Sequence, residues 1–283
     1  MNTTVPNFSI VIPCLNEEKY LPLLLNDLSK QTNQDFEVIV VDGNSDDKTV
    51  EKAQTFAKKF PLTIKVVDKR NVSFQRNTGG KLAKHNWIVF MDADNRLPNY
   101  LLDGVRYQLA KSPNTDIFTL WIKVESAKRI DRAVEQALNI GMEVYNRFGK
   151  AAALGAFIGC SKQVIQKISF DERQKYAEDG MFTAAAHAAG FHFSIFKDPN
   201  YYYSLRRVHA EGTLYNFQKA AVLQMKFLRG KNIYEADYPM LGGKYYDELS
   251  AREKSYFERT QEFIKTASIE QRKEIKALLR RLF

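Results

Sequence analysis

The strongest constraint on this chain is a regular alternation of short apolar runs and helical patterns over its first hundred residues. Residues 8–13, FSIVIP, form an apolar run that stops at Pro13, as a strand buried on both faces would. Asn16 is suited to cap a helix, and Glu17 and Glu18 then fall in a first turn, where the helix dipole favours negative charge. Leu21, Leu24, Leu25 and Leu28 follow at helical spacing and give that helix one apolar face. FEVIVV at 36–41 reads as a second buried strand, and the loop DGNSDD leads into a helix with Val50, Ala53, Ala57 and Phe60 on one stripe. TIKVV at 63–67 and WIVFM at 87–91 supply two more strands, with a helix near 75–84 between them. This pattern predicts an α/β fold: a Rossmann-like, mostly parallel sheet with helices on both faces.

Beyond residue 100 the alternation loosens. DIFTLWIKV at 116–124 reads as a strand, 129–148 as a helix, and GAFIGCSKQVI at 155–165 as a strand or loop lining something. After about 212 the signals are helical, with a Gly-Gly turn at 242–243 and a capping-box pattern, Ser268 with Gln271, before a last helix. The expected division is a catalytic domain over 1–212 and a helical C-terminal extension over 213–283. KEIKALLRRLF at 273–283 is basic and amphipathic; it suits either an anionic membrane surface or packing on the first domain. The longest apolar stretch, 181–196, carries His187 and His192 and is shorter than the ~20 residues a spanning helix needs. No charged and apolar leader opens the sequence, so the expected compartment is the cytoplasm, with peripheral attachment to the inner face of the membrane left open. Cys14 and Cys160 lie in apolar surroundings and read as buried, reduced thiols.

The net charge of +9 attracts nucleic acid, an anionic membrane or a phosphate-rich small molecule alike, and does not choose among them. The carboxylates are more informative. In a parallel sheet, ligands sit beyond the carboxyl ends of the strands. Glu17 follows the first strand, Asp42 the second, and Asp92 and Asp94 the fourth. Carboxylates gathered on one edge repel unless a cation or a donor-rich ligand joins them. Asp92 and Asp94 can both reach one hard divalent cation, magnesium or manganese, which would also hold a diphosphate. An Asp-x-Asp alone also suits a solvated turn.

Six segments together carry a resemblance. VIPCLNEE at 11–18, VVDGNSDDKT at 40–49, QRNTGG at 75–80, FMDADN at 90–95, YAEDGMF at 176–182 and YSLRRVHAEG at 203–212 resemble, in order and spacing, the family 2 glycosyltransferases of the GT-A fold. The resemblance spans roughly residues 8–212. It implies a divalent metal, Mn2+ or Mg2+, and a nucleotide-diphosphate sugar donor, with UDP favoured and GDP and dTDP open. Pro13, Leu15 and Glu17 would border the base and ribose, and Asp42 would accept a hydrogen bond from the base. Gly43 stands where many relatives carry a second acidic residue. Arg76 would brace this edge or neutralise phosphate; an ion pair to a nearby carboxylate is the plainer role for it. Asp92, Ala93 and Asp94 would hold nucleotide and metal, Arg206 and Arg207 the phosphates, and His209 would join the metal shell. Asp179 resembles the general base of an inverting displacement and Glu178 its supporting partner, although both also suit a helix N-terminus. The implied acceptor is a glycan or a lipid-linked molecule, and a polyprenyl-phosphate sugar transferase is an alternative. The loop PCLNEE lacks glycine, which counts against a sugar nucleotidyltransferase or a dinucleotide-dependent oxidoreductase. A nucleic-acid-binding role fits the basic charge, but the acidic cluster would repel a phosphate backbone.

Overall fold

The structure, a computed structural model, describes residues 6–149, 151, 153–174, 177–211, 242, 243 and 245. Seven strands form one sheet: β1 (Phe8–Cys14), β2 (Phe36–Asp42), β3 (Leu62–Val66), β4 (Trp87–Met91), β5 (Ile117–Lys123), β6 (Phe157–Ser161) and β7 (Phe193–Tyr202). Eight helices accompany them among the described residues: α1 (Leu21–Leu28), α2 (Thr49–Gln54), α3 (Val72–Leu82), α4 (Leu101–Lys111), α5 (Arg129–Arg147), α6 (Lys162–Lys167), α7 (Glu178–Ala188) and α8 (Arg206–Glu211).

The strand order is β3-β2-β1-β4-β6-β5-β7. Strands β1 to β4 pair in parallel, as do β5 and β7, while β6 runs antiparallel to both of its neighbours. The mostly parallel α/β fold expected from the sequence is therefore present, with one reversed strand inserted. Every residue of β1 and β2 is buried, which explains why both read as unbroken apolar runs. Alternate side chains feed two cores. Ile10, Ile12, Val38, Val40 and Val89 pack on one face of the sheet, and Val11, Ile39, Val41, Ile88 and Phe90 on the other. Each such side chain contributes about 1.5–3 kcal/mol by leaving water.

Helix α3 lies close against this sheet because Gly79 carries no side chain. A Cβ there would come within 2.2 Å of a Val11 methyl. Cys14 and Cys160 are buried and free, as expected.

Some local expectations are corrected. Asn16 does not cap α1, which begins at Leu21 after a turn in which Tyr20 and Leu21 donate to the Glu17 carbonyl. Asn16 instead adopts a left-handed φ of 54°, and its Oδ1 accepts the Asp46 N–H at 2.8 Å. Its capping chemistry is thus spent on joining two loops rather than on starting a helix. Helix α2 ends at Gln54, which leaves Ala57 exposed while Ala53 and Phe60 stay buried. The segment 155–165 resolves into β6 followed by α6. The expected extension over 213–283, its last helix and the domain division lie outside the described residues, apart from residues 242, 243 and 245. No helix among the described residues is long and apolar enough to cross a membrane.

Candidate active site

The parallel register sets Cys14 beside Asp42, so the loops after β1 and β2 leave the sheet together. They are tied to each other by their own polar groups. The N–H groups of Asn16 and Glu17 donate to Ser45 Oγ and Thr49 Oγ1, both at 2.8 Å. Asp42 is fully buried and accepts from the Ser45 N–H at 2.8 Å and from its hydroxyl at 2.5 Å. Gln75, from α3, donates to the carbonyls of Cys14 and Val41 at 2.7 and 2.8 Å, tying the ends of both strands to the helix; the Cys14 carbonyl also accepts the Gly43 N–H at 2.9 Å. Pro13 and Ala93 are buried beneath this edge, and Leu15 is nearly so.

Two guanidinium groups organise the carboxylates. Arg76, only 2% exposed, donates to Glu178 at 2.8 Å through Nη1. Its Nη2 donates at 3.0 Å both to Asp92 and to the Gly155 carbonyl. The sequence left Arg76 between a phosphate contact and an ion pair; the structure places it in two ion pairs, over the Phe170 ring at 5.3 Å. Its carboxylate neighbours outweigh the cost of burial and raise its pKa. Asp179 is packed beside it: Oδ2 accepts the Gly155 N–H and Oδ1 accepts the Gly180 N–H at 2.7 Å. Burial pushes the Asp179 carboxyl up to about 6, with the Glu178 charge adding to the rise and Arg76 opposing it. Glu178 and Asp179 also form the first turn of α7, where the helix dipole favours negative charge.

The second guanidinium, Arg206, opens α8 and binds Glu17 with two hydrogen bonds, at 2.8 and 3.1 Å. It also donates to Asp94 at 3.1 Å and lies 4.1 Å from the Tyr20 ring centroid. Burial pushes the Glu17 carboxyl above the usual carboxylate range, and Arg206 pulls against that rise. Burial likewise raises Asp94, against the pull of Arg206. Arg207 follows in the same turn; burial and then Asp94 and Asp92 raise the neighbouring Tyr203 phenol, and the Arg207 charge opposes them. His209 is held elsewhere: its Nε2 lies 2.9 Å from Asp131 of α5.

The structure therefore joins Asp92, Arg76, Glu178 and Asp179 in one network, and Glu17, Asp94 and Arg206 in another. Asp42 sits behind them as a closure of the loop, and His209 is engaged by Asp131. Among the described residues no three or more His, Cys, Asp or Glu side chains form a ready metal cage. Asp92 and Asp94 supply hard oxygen ligands of the kind magnesium and manganese accept, provided the remaining ligands come from phosphate and water. The donor set fits a cation that arrives with its diphosphate. Sequence reasoning missed Gln75 and Gly155, because their contributions are hydrogen bonds across 24 to 79 residues that no local pattern reports. It also missed the Tyr20 ring beneath Arg206 and the Asp131 partner of His209.

Residues 9–198 match the family model described as Glycosyl transferase family 2. The chain belongs to this family. A poly(ribitol-phosphate) beta-N-acetylglucosaminyltransferase, TarS of Staphylococcus aureus, is 25% identical over 205 residues, covering 71% of this chain and 36% of that protein. A poly(ribitol-phosphate) beta-glucosyltransferase of Bacillus spizizenii is 27% identical over 206 residues, covering 70% of this chain and 32% of its own length. The chain thus spans about a third of the length of these relatives. Among solved structures, TarS residues 1–349 in complex with UDP-GlcNAc superpose with a TM-score of 0.58 at 21% identity, covering 94% of this chain and 77% of that one. A mannosyltransferase from Pyrobaculum calidifontis in complex with GDP-Man and Mn2+ gives 0.60 at 16% identity, covering 99% and 82%. Both likenesses establish the shared GT-A fold of this glycosyl transferase family 2 chain.

Proposed function

We propose that this chain is a glycosyltransferase that moves a sugar from a nucleotide-diphosphate donor, a UDP-sugar, to a hydroxyl of a cell-envelope glycan or lipid-linked acceptor, with inversion. The observation that carries this reading is the placement of Asp179. Its carboxyl is half-buried, raised to about 6 by loss of solvent, and linked through the Gly155 backbone and Arg76 to Asp92, one of the two aspartates that would hold the donor. A general base works best with a pKa near the working pH, and burial supplies that tuning here.

In this reading Asp179 accepts the proton of the acceptor hydroxyl as that oxygen attacks the anomeric carbon. Glu178, fixed by Arg76, orients the acceptor from the first turn of α7. Leu15, Glu17 and Pro13 border the base and ribose, with Asp42 holding the loop that shapes that wall. Arg206 and Arg207 face the phosphates, while Asp92 and Asp94 would hold a divalent ion, Mn2+ or Mg2+. That ion, when bound, would offset charge developing on the departing diphosphate. His209, paired with Asp131, is better suited to steadying α8 on α5 than to joining the ion's shell.

The relatives support the donor and acceptor classes: two carry names that specify poly(ribitol-phosphate) as acceptor, and the TarS structure contains UDP-GlcNAc. The net charge of +9 suits a phosphate-bearing polymer or a phosphate-rich membrane. The chain is read as acting in the cytoplasm, at or near the inner face of the membrane, with residues 213–283 as a helical extension. Calorimetric titration with UDP, GDP and dTDP, each with and without Mn2+, tests the donor assignment. Metal-dependent binding of UDP that is lost in Asp94→Ala is expected; absence of any nucleotide binding would overturn the reading.

A further inference from the structure

Arg206 holds its two carboxylates unequally. Glu17 receives two of its hydrogen bonds, at 2.8 and 3.1 Å, and the Tyr20 ring lies beneath the guanidinium. Glu17 itself has little room to move: the Gly243 backbone packs against its carboxylate so tightly that a Cβ on Gly243 would come within 2.5 Å of Glu17 Cδ. The Gly243 N–H also donates to the Leu15 carbonyl at 2.9 Å, clamping the loop that carries Glu17. Asp94, by contrast, receives a single bond from Arg206 at 3.1 Å. The arginine is anchored on Glu17 and only leans on Asp94.

Asp94 is one of the two oxygen donors available to a divalent ion, and a guanidinium at hydrogen-bonding distance competes directly with such an ion for the same carboxylate. A diphosphate changes that competition, because a planar guanidinium pairs readily with phosphate oxygens. We propose that Arg206 is a built-in counter-ion for Asp94: it occupies that carboxylate while the donor site is empty and yields it to the divalent ion when a diphosphate draws the guanidinium away. Metal and nucleotide then bind cooperatively, each raising the affinity for the other by the same factor. The hydrogen bond from Nη1 to Glu17, which Asp94 does not share, keeps Arg206 at the site when Asp94 is yielded. This inference rests on the donor reading above, but its main observable is metal binding by the protein alone.

The test is titration of Mn2+, by calorimetry and by the paramagnetic resonance of the free ion, with and without saturating UDP. Wild type is compared with Arg206→Gln and Arg206→Met. Wild type is expected to bind Mn2+ weakly alone and about tenfold or more tightly with UDP, within the usual range of coupling between sites. Arg206→Gln is expected to bind Mn2+ alone about tenfold more tightly than wild type, because removing the competing cation frees Asp94. Its UDP-induced gain shrinks correspondingly. Adding Asp94→Asn to that variant abolishes the gain, which locates it on Asp94. An Arg206→Gln protein that binds Mn2+ no better than wild type, or a gain that survives Asp94→Asn, overturns the proposal. Should Arg206→Gln fail to fold, Arg206→Met carries the test. Methionine keeps much of the stem but carries no charge and no donor for either carboxylate, so it is expected to bind Mn2+ more tightly than wild type, and wild-type affinity in the folded methionine variant overturns the proposal. If no nucleoside diphosphate binds wild type while Arg206→Gln still gains Mn2+ affinity, the counter-ion assignment stands and the donor assignment falls.

Discussion

Replacing Arg76 with methionine removes the cation that holds the Asp92–Glu178 network together while keeping a side chain of similar length. Glu178 is 14% exposed and Arg76 2%, so this pair is screened little by water, whereas Asp92, at 39%, is partly solvated. Deleting one partner of a buried pair costs about 3–5 kcal/mol, because the other charge stays buried without compensation. The partial solvation of Asp92 places the expected loss near the lower bound, about 3 kcal/mol. A domain of this size loses roughly 2–4 °C in melting temperature per kcal/mol, so Arg76→Met should melt roughly 6–12 °C below wild type. The same change removes a charge that pulls the Asp179 carboxyl down, so this proposed base stays protonated to higher pH. The acid limb of the rate profile is therefore expected to move upward. Thermal melts followed by circular dichroism and a pH–rate profile measure both effects. A variant that melts within about 1 °C of wild type, well under the cost of an uncompensated buried charge, would refute the brace. So would an acid limb that does not move.

Gly79→Ala should destabilise by about 1–3 kcal/mol, since its Cβ meets Val11 at 2.2 Å and the packed sheet cannot yield; denaturant melts read this directly. The wild-type rate is expected to fall as pH drops through about 6, where Asp179 takes up its proton. Stability should show the opposite sign. The folded-state pKa of Asp179 lies above its ordinary value of 3.8, so its contribution is full below that value and is lost as pH rises through about 6. Asp179→Asn, compared with wild type by melts at several pH values, should remove this part of the slope between those limits.

Much of the fold was legible because the relevant signals are local. Strands β1 and β2 are buried on both faces, so their sequences are continuous apolar runs. Helix α5 is long enough to declare itself, and its predicted span of 129–148 nearly matches Arg129–Arg147. The reversal of β6 was not legible, because strand direction is decided by the neighbours β4 and β5 rather than by the five residues of the strand. Asn16 misled for a physical reason: an amide oxygen that can cap a helix can equally accept an N–H from a loop 30 residues away. In the site, the acidic residues could be placed at strand ends from the sequence, but their partners could not. The partners of Arg76 lie 16 and 102 residues along the chain, and those of Arg206 lie 112 and 189. Nothing in the local sequence around His209 pointed to Asp131, 78 residues before it.

Asp179 is the proposed base of a sugar transfer from a nucleotide-diphosphate donor. A panel of UDP-sugars with Mn2+ and a cell-envelope polymer fraction, read by UDP release and by mass increase of the polymer, tests it directly on wild type and Asp179→Asn. One sugar is expected to be transferred by wild type. Asp179→Asn is expected to bind UDP as wild type does while turning over about 10²–10⁴-fold more slowly, the usual worth of a general base. Undiminished transfer by Asp179→Asn would rule out Asp179 as the base, as would nucleotide binding lost together with turnover.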